Sequence, residues 1–246
     1  MKAPAETRRG IVVPTIFALV GVAILIGLGK WQLDRKVWKE DLIATVTARS
    51  SAPPESLPPR AAAPQLSRAA DEYRRVTFSA EYLIGEQALV YTAGSAFRPD
   101  ISGAGYWVFT PARLADGRVV VVNRGFVPFD RKALAANGQR APAKVEITGA
   151  LRWPEGRGLF TPGDDPQHNV WYVRDPRVIA AAKQWGPVAP FYVDQESPQP
   201  AGGWPRAGKL VVTLPDNHLQ YALTWFALAL GLIAVYGTWL ARRLRA

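Results

Sequence analysis

The chain has 246 residues, a formal net charge of +10, 48% hydrophobic residues and no cysteine. The lack of cysteine excludes disulfides, cysteine-ligated zinc, iron–sulfur clusters and a thiolate nucleophile. Half of the excess positive charge lies in the first 10 and the last 6 residues. Because so much of the excess charge is concentrated at the two termini, we expect no nucleic acid among the partners.

Two long segments carry no charged residue, one from Ile11 to Gly29 and one from Tyr221 to Leu240. As helices, each would be about 30 Å long, which matches the hydrocarbon core of a bilayer. A plain soluble protein is therefore excluded. A cleaved signal peptide is the alternative for the first segment, but its apolar core is longer than usual and no A-x-A site follows it. We predict two transmembrane helices.

Basic residues flank both segments on their outer sides, namely Lys2, Arg8, Arg9, Arg242, Arg243 and Arg245. Flanks rich in Lys and Arg stay in the cytoplasm, so both termini are expected there and the middle of the chain outside. The predicted order is a cytoplasmic N-terminus (1–10), transmembrane helix 1 (11–29), a juxtamembrane helix (30–49), a Pro-rich linker (50–72), a β-rich domain (73–216), transmembrane helix 2 with an interfacial start (217–240) and a cytoplasmic C-terminus (241–246).

Each apolar segment contains one pair of small residues four positions apart. The pairs are Ala23 with Gly27 and Ala227 with Gly231. Such pairs let two helix backbones approach closely, which would favour a transmembrane hairpin. The alternative is chance, since alanine and glycine are common in both segments.

The helical pattern continues beyond the first segment, because Trp31, Arg35, Trp38 and Leu42 share one helical face. From there to the second segment, the sequence reads mostly as short strands separated by turn signals. The candidate strands are 76–82, 87–92, 106–110, 118–123, 144–152, 170–174, 191–194 and 209–214, and one helix is expected at 178–185 after the capping residue Asp175. This pattern predicts a β-rich α+β domain, with an antiparallel sheet or a small barrel and one or two short helices.

Nothing in the sequence favours an enzyme. Nucleophilic hydrolysis needs a Ser or Thr near a His and a carboxylate, and the only histidines are His168 and His218. Asp164 and Asp165 stand in a Thr-Pro-Gly-Asp-Asp-Pro context that is more typical of a turn than of a general acid/base pair. His168 is expected on a solvated loop. We predict no catalytic residues.

His218 stands in a different context. His218, Tyr221 and Trp225 lie at i, i+3 and i+7, on one face of a helix that enters the second apolar segment. Neutral imidazole is a common axial ligand of haem iron, and an aromatic wall suits a flat apolar macrocycle. The alternative is that all three are interfacial residues that bind no ligand. The pattern leaves both interpretations open.

Three segments occur in order within this two-helix arrangement: Gly29 to Lys39 (GKWQLDRKVWK), Val122 to Pro128 (VNRGFVP) and Asn217 to Phe226 (NHLQYALTWF). In them the chain resembles the Surfeit locus protein one family of cytochrome c oxidase assembly factors. Two positions depart from the family's pattern, since Asp216 stands where a second Asn is usual and Phe126 where Trp is usual.

The resemblance implies a non-catalytic, membrane-anchored chaperone of cytochrome c oxidase assembly that holds haem a or hands it over to the largest oxidase subunit. Haem a would be a transient cofactor, and the partners would be that subunit, haem a synthase and the lipid bilayer. The alternative is an interaction scaffold for the same proteins that binds no haem. Because the first helix begins at residue 11, with no room for a long transit peptide, we expect a bacterial member in the cell inner membrane, with its large domain in the periplasm.

The resemblance also implies site residues. His218 is the candidate ligand of the haem iron, and Tyr221, Trp225 and Arg124 are the other candidate haem-binding residues. Guanidinium binds carboxylates bidentately, so Arg124 suits a haem propionate, although a structural side chain after a strand is the alternative. The motif positions of unknown role are Trp31, Gln32, Arg35, Asn123, Gly125, Asn217 and Gln220.

Overall fold

The computed structural model describes residues 5–83, 85–95, 97–136, 144–200, 202–211 and 217–245. The chain divides into two compact units. One comprises residues 1–44 and 214–246 and is called the helical unit below. The other comprises residues 45–213 and is called the β domain.

The helical unit, as far as it is described, consists of residues 5–44 of helix α1 (Ala5–Ser51) and of residues 217–245, which include helix α4 (His218–Arg245). The last seven residues of α1 belong to the β domain. Both helices are long and apolar enough to cross a membrane. The segments 11–29 and 30–49, predicted as successive helices, are parts of the single helix α1.

Buried and half-buried residues recur along each helix at alternating spacings of three and four. They are Thr15, Ala18, Val22, Leu25, Gly29 and Gln32 on α1, and His218, Ala222, Trp225, Ala229, Leu232 and Tyr236 on α4. This seven-residue repeat is typical of helices that pack side by side at a shallow angle. The hydroxyls of Thr15 and Tyr236 form a hydrogen bond at one end of the repeat.

The small residues that line this contact differ from the predicted pairs. A Cβ added to Gly29 would lie 2.5 Å from the Phe226 ring, and one added to Gly21 would lie 2.9 Å from Leu232. Added to Gly27 or Gly231, it would meet nothing within 4 Å. The pairs Ala23–Gly27 and Ala227–Gly231 therefore do not mediate the contact, because they point away from the half-buried stripe.

The described residues of the β domain form eight strands and two short helices, besides the end of α1. They are β1 (Glu55–Ser56), α2 (Arg68–Asp71), β2 (Arg75–Tyr82), β3 (Ala88–Thr92), β4 (Gly105–Leu114), β5 (Val119–Pro128), β6 (Val145–Arg152), β7 (Val170–Trp171), α3 (Pro176–Lys183) and β8 (Val188–Ser197), with 3-10 turns at Ala63–Gln65 and Phe129–Ala136. The strands form one sheet in the order β1-β2-β6-β8-β5-β4-β3-β7.

The sheet is mixed, so the prediction of an antiparallel sheet or a small barrel needs correction. β8 runs parallel to β5, and the short strands β1 and β7 run parallel to β2 and β3. The end of β4 also pairs with β2, which curls the sheet back on itself. The pairings of β2, β6, β8, β5 and β4 therefore run in a ring, but the described sheet as a whole is not one closed barrel, because β1, β3 and β7 lie outside that ring. The predicted hairpin turn is present, with Gly117 at φ +80° between β4 and β5.

Apolar residues of the curled strands form the main core. Val76, Phe78, Val120, Ile147 and Val193 lie on its inner side and are at most 9% exposed. They alternate with outward-facing residues because successive side chains of a strand point to opposite faces. Asp175 caps α3 as predicted, and Ile179 and Ala180 pack that helix against a second buried cluster.

The packed structure begins earlier than the predicted start at Tyr73. The segment 50–72, predicted as a linker, contains β1, a 3-10 turn and α2, and Leu57 belongs to the main core. Its prolines interrupt helix and strand but do not prevent packing. The strand predicted at 209–214 is absent over 209–211, and the rest of it lies outside the described residues.

We expect the α1–α4 contact to depend on Gly29. With Cys introduced at Thr15 and Tyr236, a short bismaleimide should cross-link the otherwise cysteine-free chain in membranes. Gly29→Leu should lower the yield severalfold, because its side chain would collide with Phe226. Gly27→Leu is the matched control and should leave the yield unchanged. Equal yields in both variants would contradict the contact.

Candidate functional site

His218 is the first residue of α4, and its imidazole is half-buried against α1. Its Nδ1 lies 2.7 Å from Oε1 of Gln32. An amide oxygen only accepts hydrogen bonds, so Nδ1–H is the donor. In the tautomer that fits this contact, the lone pair of the imidazole is on Nε2. A hydrogen bond from Nδ1 that fixes the tautomer and the ring orientation is the usual arrangement around a metal-binding histidine.

The aromatic candidates lie near this pair in different environments. Tyr221 is 55% exposed and Trp31 is 56% exposed, while Trp225 is half-buried on the face of α4 that meets α1. The Arg35 guanidinium lies over the Trp38 ring, 3.8 Å from its centroid. Because an aromatic face attracts a cation, this contact orients Arg35 on the surface of α1.

Gln220 belongs to another face of α4, and Asn217 lies directly before the helix. With Thr224 they form a polar stripe along a shallow groove whose other lining residues are Leu219, Leu223 and Ala227. Asn217 accepts a backbone hydrogen bond from Tyr221, which closes the first turn of the helix. Asp216, the position that departs from the family's pattern, lies outside the described residues.

The mid-domain motif belongs to a buried polar network in the β domain. Asn123 on β5 is the register partner of Asp194 on the parallel strand β8, and its Nδ2 donates to Asp194 Oδ1 at 2.7 Å. Arg152 donates to the other carboxylate oxygen at 2.8 Å. Gly125 N donates to Asn123 Oδ1 at 3.1 Å. Asn123 and Gly125 therefore hold strands together around a buried ion pair.

Arg124 is 2% exposed, and its guanidinium lies 5.3 Å from the centroid of the Tyr82 ring. Burial lowers the pKa of Arg124, and it raises the pKa of Tyr82. A guanidinium so deeply buried does not meet a large ligand outside the domain without rearrangement. Its environment favours the structural alternative for Arg124.

The candidates therefore fall into two groups in different units. Three of them, Asn123, Arg124 and Gly125, belong to the β domain. The helical unit contains the others, which are Trp31, Gln32, Arg35, Asn217, His218, Gln220, Tyr221 and Trp225. The direct contact between His218 and Gln32 joins two separate motifs of the sequence. No group of three or more potential metal ligands occurs among the described residues.

His168 lies on an exposed loop, as predicted. Its side chain is 76% exposed, and its Nδ1 is 2.6 Å from Oδ2 of Asp165. Asp165 also accepts a hydrogen bond from the backbone of His168, and Asp164 accepts one from the backbone of Tyr172. The two adjacent carboxylates therefore shape the loop, as the turn context predicted.

The sequence patterns did not identify the role of Arg152. This residue is 3% exposed and pairs with both Asp194 and Glu72. Its guanidinium also lies 5.0 Å from the centroid of the Tyr73 ring. One signal was present: charged residues stand at the ends of two predicted strands, at Arg152 and Asp194. Charges on buried strands are costly unless they pair.

Comparison with known proteins gives a consistent family. The profile of the SURF1 family matches residues 19–230. A SURF1-like protein of Drosophila melanogaster is 37% identical over 231 aligned positions, covering 87% of this chain and 73% of the relative. A SURF1-like protein of Monosiga brevicollis is 35% identical, and the alignment covers 89% of this chain and 85% of the relative. Surfeit locus protein 1 of Homo sapiens is 32% identical, and the alignment covers 82% of this chain and 69% of the relative. These relatives are eukaryotic, so they do not support the expected bacterial origin.

We expect Gly125→Ala to destabilise the β domain strongly. Gly125 has φ +123°, and an added Cβ would lie 2.3 Å from the backbone of Arg206. The free energy of unfolding should fall by about 3 kcal/mol or more. Gly85→Ala is the control, because Gly85 has φ +82° but open space around it, and should cost only about 1 to 2 kcal/mol. Denaturant unfolding of the full chain in detergent measures both, and equal losses would contradict the packing argument.

Proposed function

Because the chain belongs to the SURF1 family, we propose that it is a membrane-anchored assembly factor for cytochrome c oxidase, which holds haem a and hands it to the largest oxidase subunit. The observation that supports haem holding best is the hydrogen bond between His218 Nδ1 and Gln32 Oε1 at 2.7 Å. It joins two motifs that are 186 residues apart in the chain and prepares the imidazole as a ligand for iron.

The residues around His218 fit a haem in their chemistry. When bound, haem a would supply an iron that accepts a neutral imidazole nitrogen. His218 would hold the iron through Nε2, while Gln32 keeps the proton on Nδ1. The Tyr221 and Trp225 rings would contact the apolar macrocycle and exclude water from one of its faces.

Arg35 is better placed than Arg124 to meet the haem propionates. It belongs to the helical unit with His218, one helical turn beyond Gln32. Among the described residues no carboxylate lies within ion-pair distance of Arg35, and Trp38 orients its guanidinium. Carboxylates bind guanidinium bidentately. We therefore assign the propionate-binding role to Arg35 and a structural role to Arg124.

Such a site is suited to temporary holding. The hydrogen-bond acceptor behind His218 is a neutral amide, whereas a carboxylate would make the imidazole a stronger donor to the metal. Within the helical unit, His218 is the one histidine among the described residues, since His168 belongs to the β domain. One imidazole and a set of aromatic contacts favour release to a subunit that offers stronger ligands.

The membrane arrangement belongs to the same proposal. The α1–α4 contacts and the two apolar spans support a transmembrane hairpin. With basic flanks on the inner side, the β domain would face the periplasm of a bacterium. The largest oxidase subunit and haem a synthase, both embedded in that inner membrane, would be the partners.

A second function has specific support in the same hydrogen bond. His218 and Gln32 also fasten α4 to α1, so the histidine would act structurally in an interaction scaffold that binds no haem. The two functions predict different outcomes when the imidazole alone is removed.

Deleting the gene should lower the membrane content of assembled, haem a-containing oxidase while haem a synthesis continues. The His218→Ala variant should not restore the oxidase. It should nevertheless be present at normal abundance, because the loss of one hydrogen bond costs only about 1 kcal/mol. His168→Ala should restore the oxidase fully. Loss of haem a itself would place the protein in synthesis, and loss of the His218→Ala protein would indicate the scaffold role. Difference spectra and immunoblots of membranes give these readouts.

Gln32 should act through His218. Gln32→Leu removes the acceptor for Nδ1–H, so affinity for haem should fall by about tenfold to a hundredfold, as for other residues that orient a ligand. Gln220→Leu is the matched control, because it removes an amide on another face of α4 and should leave the affinity unchanged. Spectroscopic titration with haem in detergent gives both values. Equal affinities for wild type and Gln32→Leu would contradict the orienting role.

Reporter fusions test the orientation. Alkaline phosphatase fused near Gly138 should be active in a bacterial host, because the enzyme works only outside the cytoplasm, and a fusion after Ala246 should be inactive. The reverse pattern would overturn the orientation derived from the basic flanks.

A further inference from the structure

A cleft of about 420 Å³ opens in the β domain. It lies where the β4–β5 turn, the start of β8 and the segment after β1 come together. Three arginines from three different segments line it, namely Arg60, Arg113 and Arg118. None of the candidate haem-binding residues belongs to its lining.

The positive charge of this cleft is only partly neutralised. Arg118 binds Asp116 at 2.7 Å, whereas among the described residues neither Arg60 nor Arg113 has a carboxylate within 4.0 Å. Glu81 is the strand neighbour of Arg113 in the β2–β4 pairing, and both are exposed without forming an ion pair. The cleft therefore contains guanidinium groups whose donors face water.

The pKa of Asp116 shows the effect of these positive charges. Slight burial works against its charged form, yet hydrogen bonds from Arg118 and the charges of Arg118 and Arg60 hold the pKa of Asp116 below its usual value. Asp116, whose ion-pair partner Arg118 lines the cleft, is thus stabilised as an anion. A second anion would gain from the same field.

The remaining walls are apolar and stiff. They are formed by Ala63, Val119, Trp185, Pro187, Val188, Ala189, Pro190 and Phe191. Two prolines have fixed φ angles, so little of this wall needs to be ordered on binding. A suitable ligand combines anionic groups with apolar groups between them.

We propose that this cleft binds an acidic, partly apolar segment of a partner polypeptide. Separated arginines match carboxylates spaced along an extended chain, and valine-sized side chains between them would contact the proline wall. A small ligand is usually buried on most sides, whereas this cleft is open along one side. A peptide is well suited to such a groove, because it needs contact on one side only.

The test uses the full chain in nanodiscs of zwitterionic phosphatidylcholine and a fluorescein-labelled Glu-Val-Glu-Val-Glu-Val peptide, with binding measured by fluorescence anisotropy. The wild type should bind this peptide and not the matched Gln-Val-Gln-Val-Gln-Val peptide. The double variant Arg60→Gln/Arg113→Gln should lose at least about tenfold in affinity, because two charge-assisted contacts are removed.

The matched control is Lys144→Gln/Lys209→Gln, which removes two exposed charges of the same domain away from the cleft. Its affinity should stay within about twofold of the wild type, as for isolated surface charges. Equal losses of affinity in both double variants would show that binding depends only on net charge, and this result would overturn the proposal. Since Arg60 and Arg113 are exposed, their variants should keep the thermal unfolding temperature of the wild type.

Two competition experiments test whether the cleft prefers another anion to the peptide. If millimolar inorganic phosphate displaces the peptide, the cleft is a small-anion site and the proposal is wrong. If anionic phosphatidylglycerol in the nanodisc abolishes peptide binding to the wild type, the cleft is a headgroup site and the proposal is equally wrong. Peptide binding that survives both arms supports the polypeptide ligand, whatever the haem experiments show.

Discussion

A polar side chain within or beside a membrane span is stable only when another polar group satisfies it. α1 and α4 meet this constraint at both ends of their contact. Thr15 and Tyr236 pair at one end, and Gln32 and His218 pair at the other. Between these pairs the contact is apolar and lined by small residues such as Gly29. The rest of the helical unit depends on this constraint, because the polar pairs fix how far one helix can slide along the other.

The same constraint gives His218 its chemistry. A neutral histidine that donates from Nδ1 to an amide oxygen has its lone pair on Nε2. A carboxylate in place of Gln32 would hold iron more tightly, and no partner would leave the ring free to rotate. The observed pair lies between these limits, which fits the proposed holding and release of haem a. The buried Arg152–Asp194 pair plays a different part, since both partners are enclosed and stabilise the β domain.

Local patterns in the sequence predicted local structure well, and long-range pairing poorly. Alternation around Phe78 predicted β2, Asp116 and Gly117 predicted a turn, and Asp175 predicted the start of α3. The parallel pairing of β5 with β8 was missed because it joins strands about 70 residues apart, and no local pattern encodes such a pairing. At the candidate site, the spacing of residues along α4 predicted His218 as a candidate. Its Nδ1 partner, Gln32, could not be predicted because that contact depends on how the two helices pack. The sequence spacing also predicted Gly27 in the α1–α4 contact, whereas Gly29 lies there in the structure.

The central claim is that this chain carries haem a through His218, and the most direct measurement is the absorption spectrum of the protein purified from a host that makes haem a. We expect a haem a spectrum in the wild type that is lost or shifted in His218→Ala and unchanged in His168→Ala, at equal protein yield. A wild-type protein that is free of haem, or a spectrum that His218→Ala leaves unaltered, would contradict the claim.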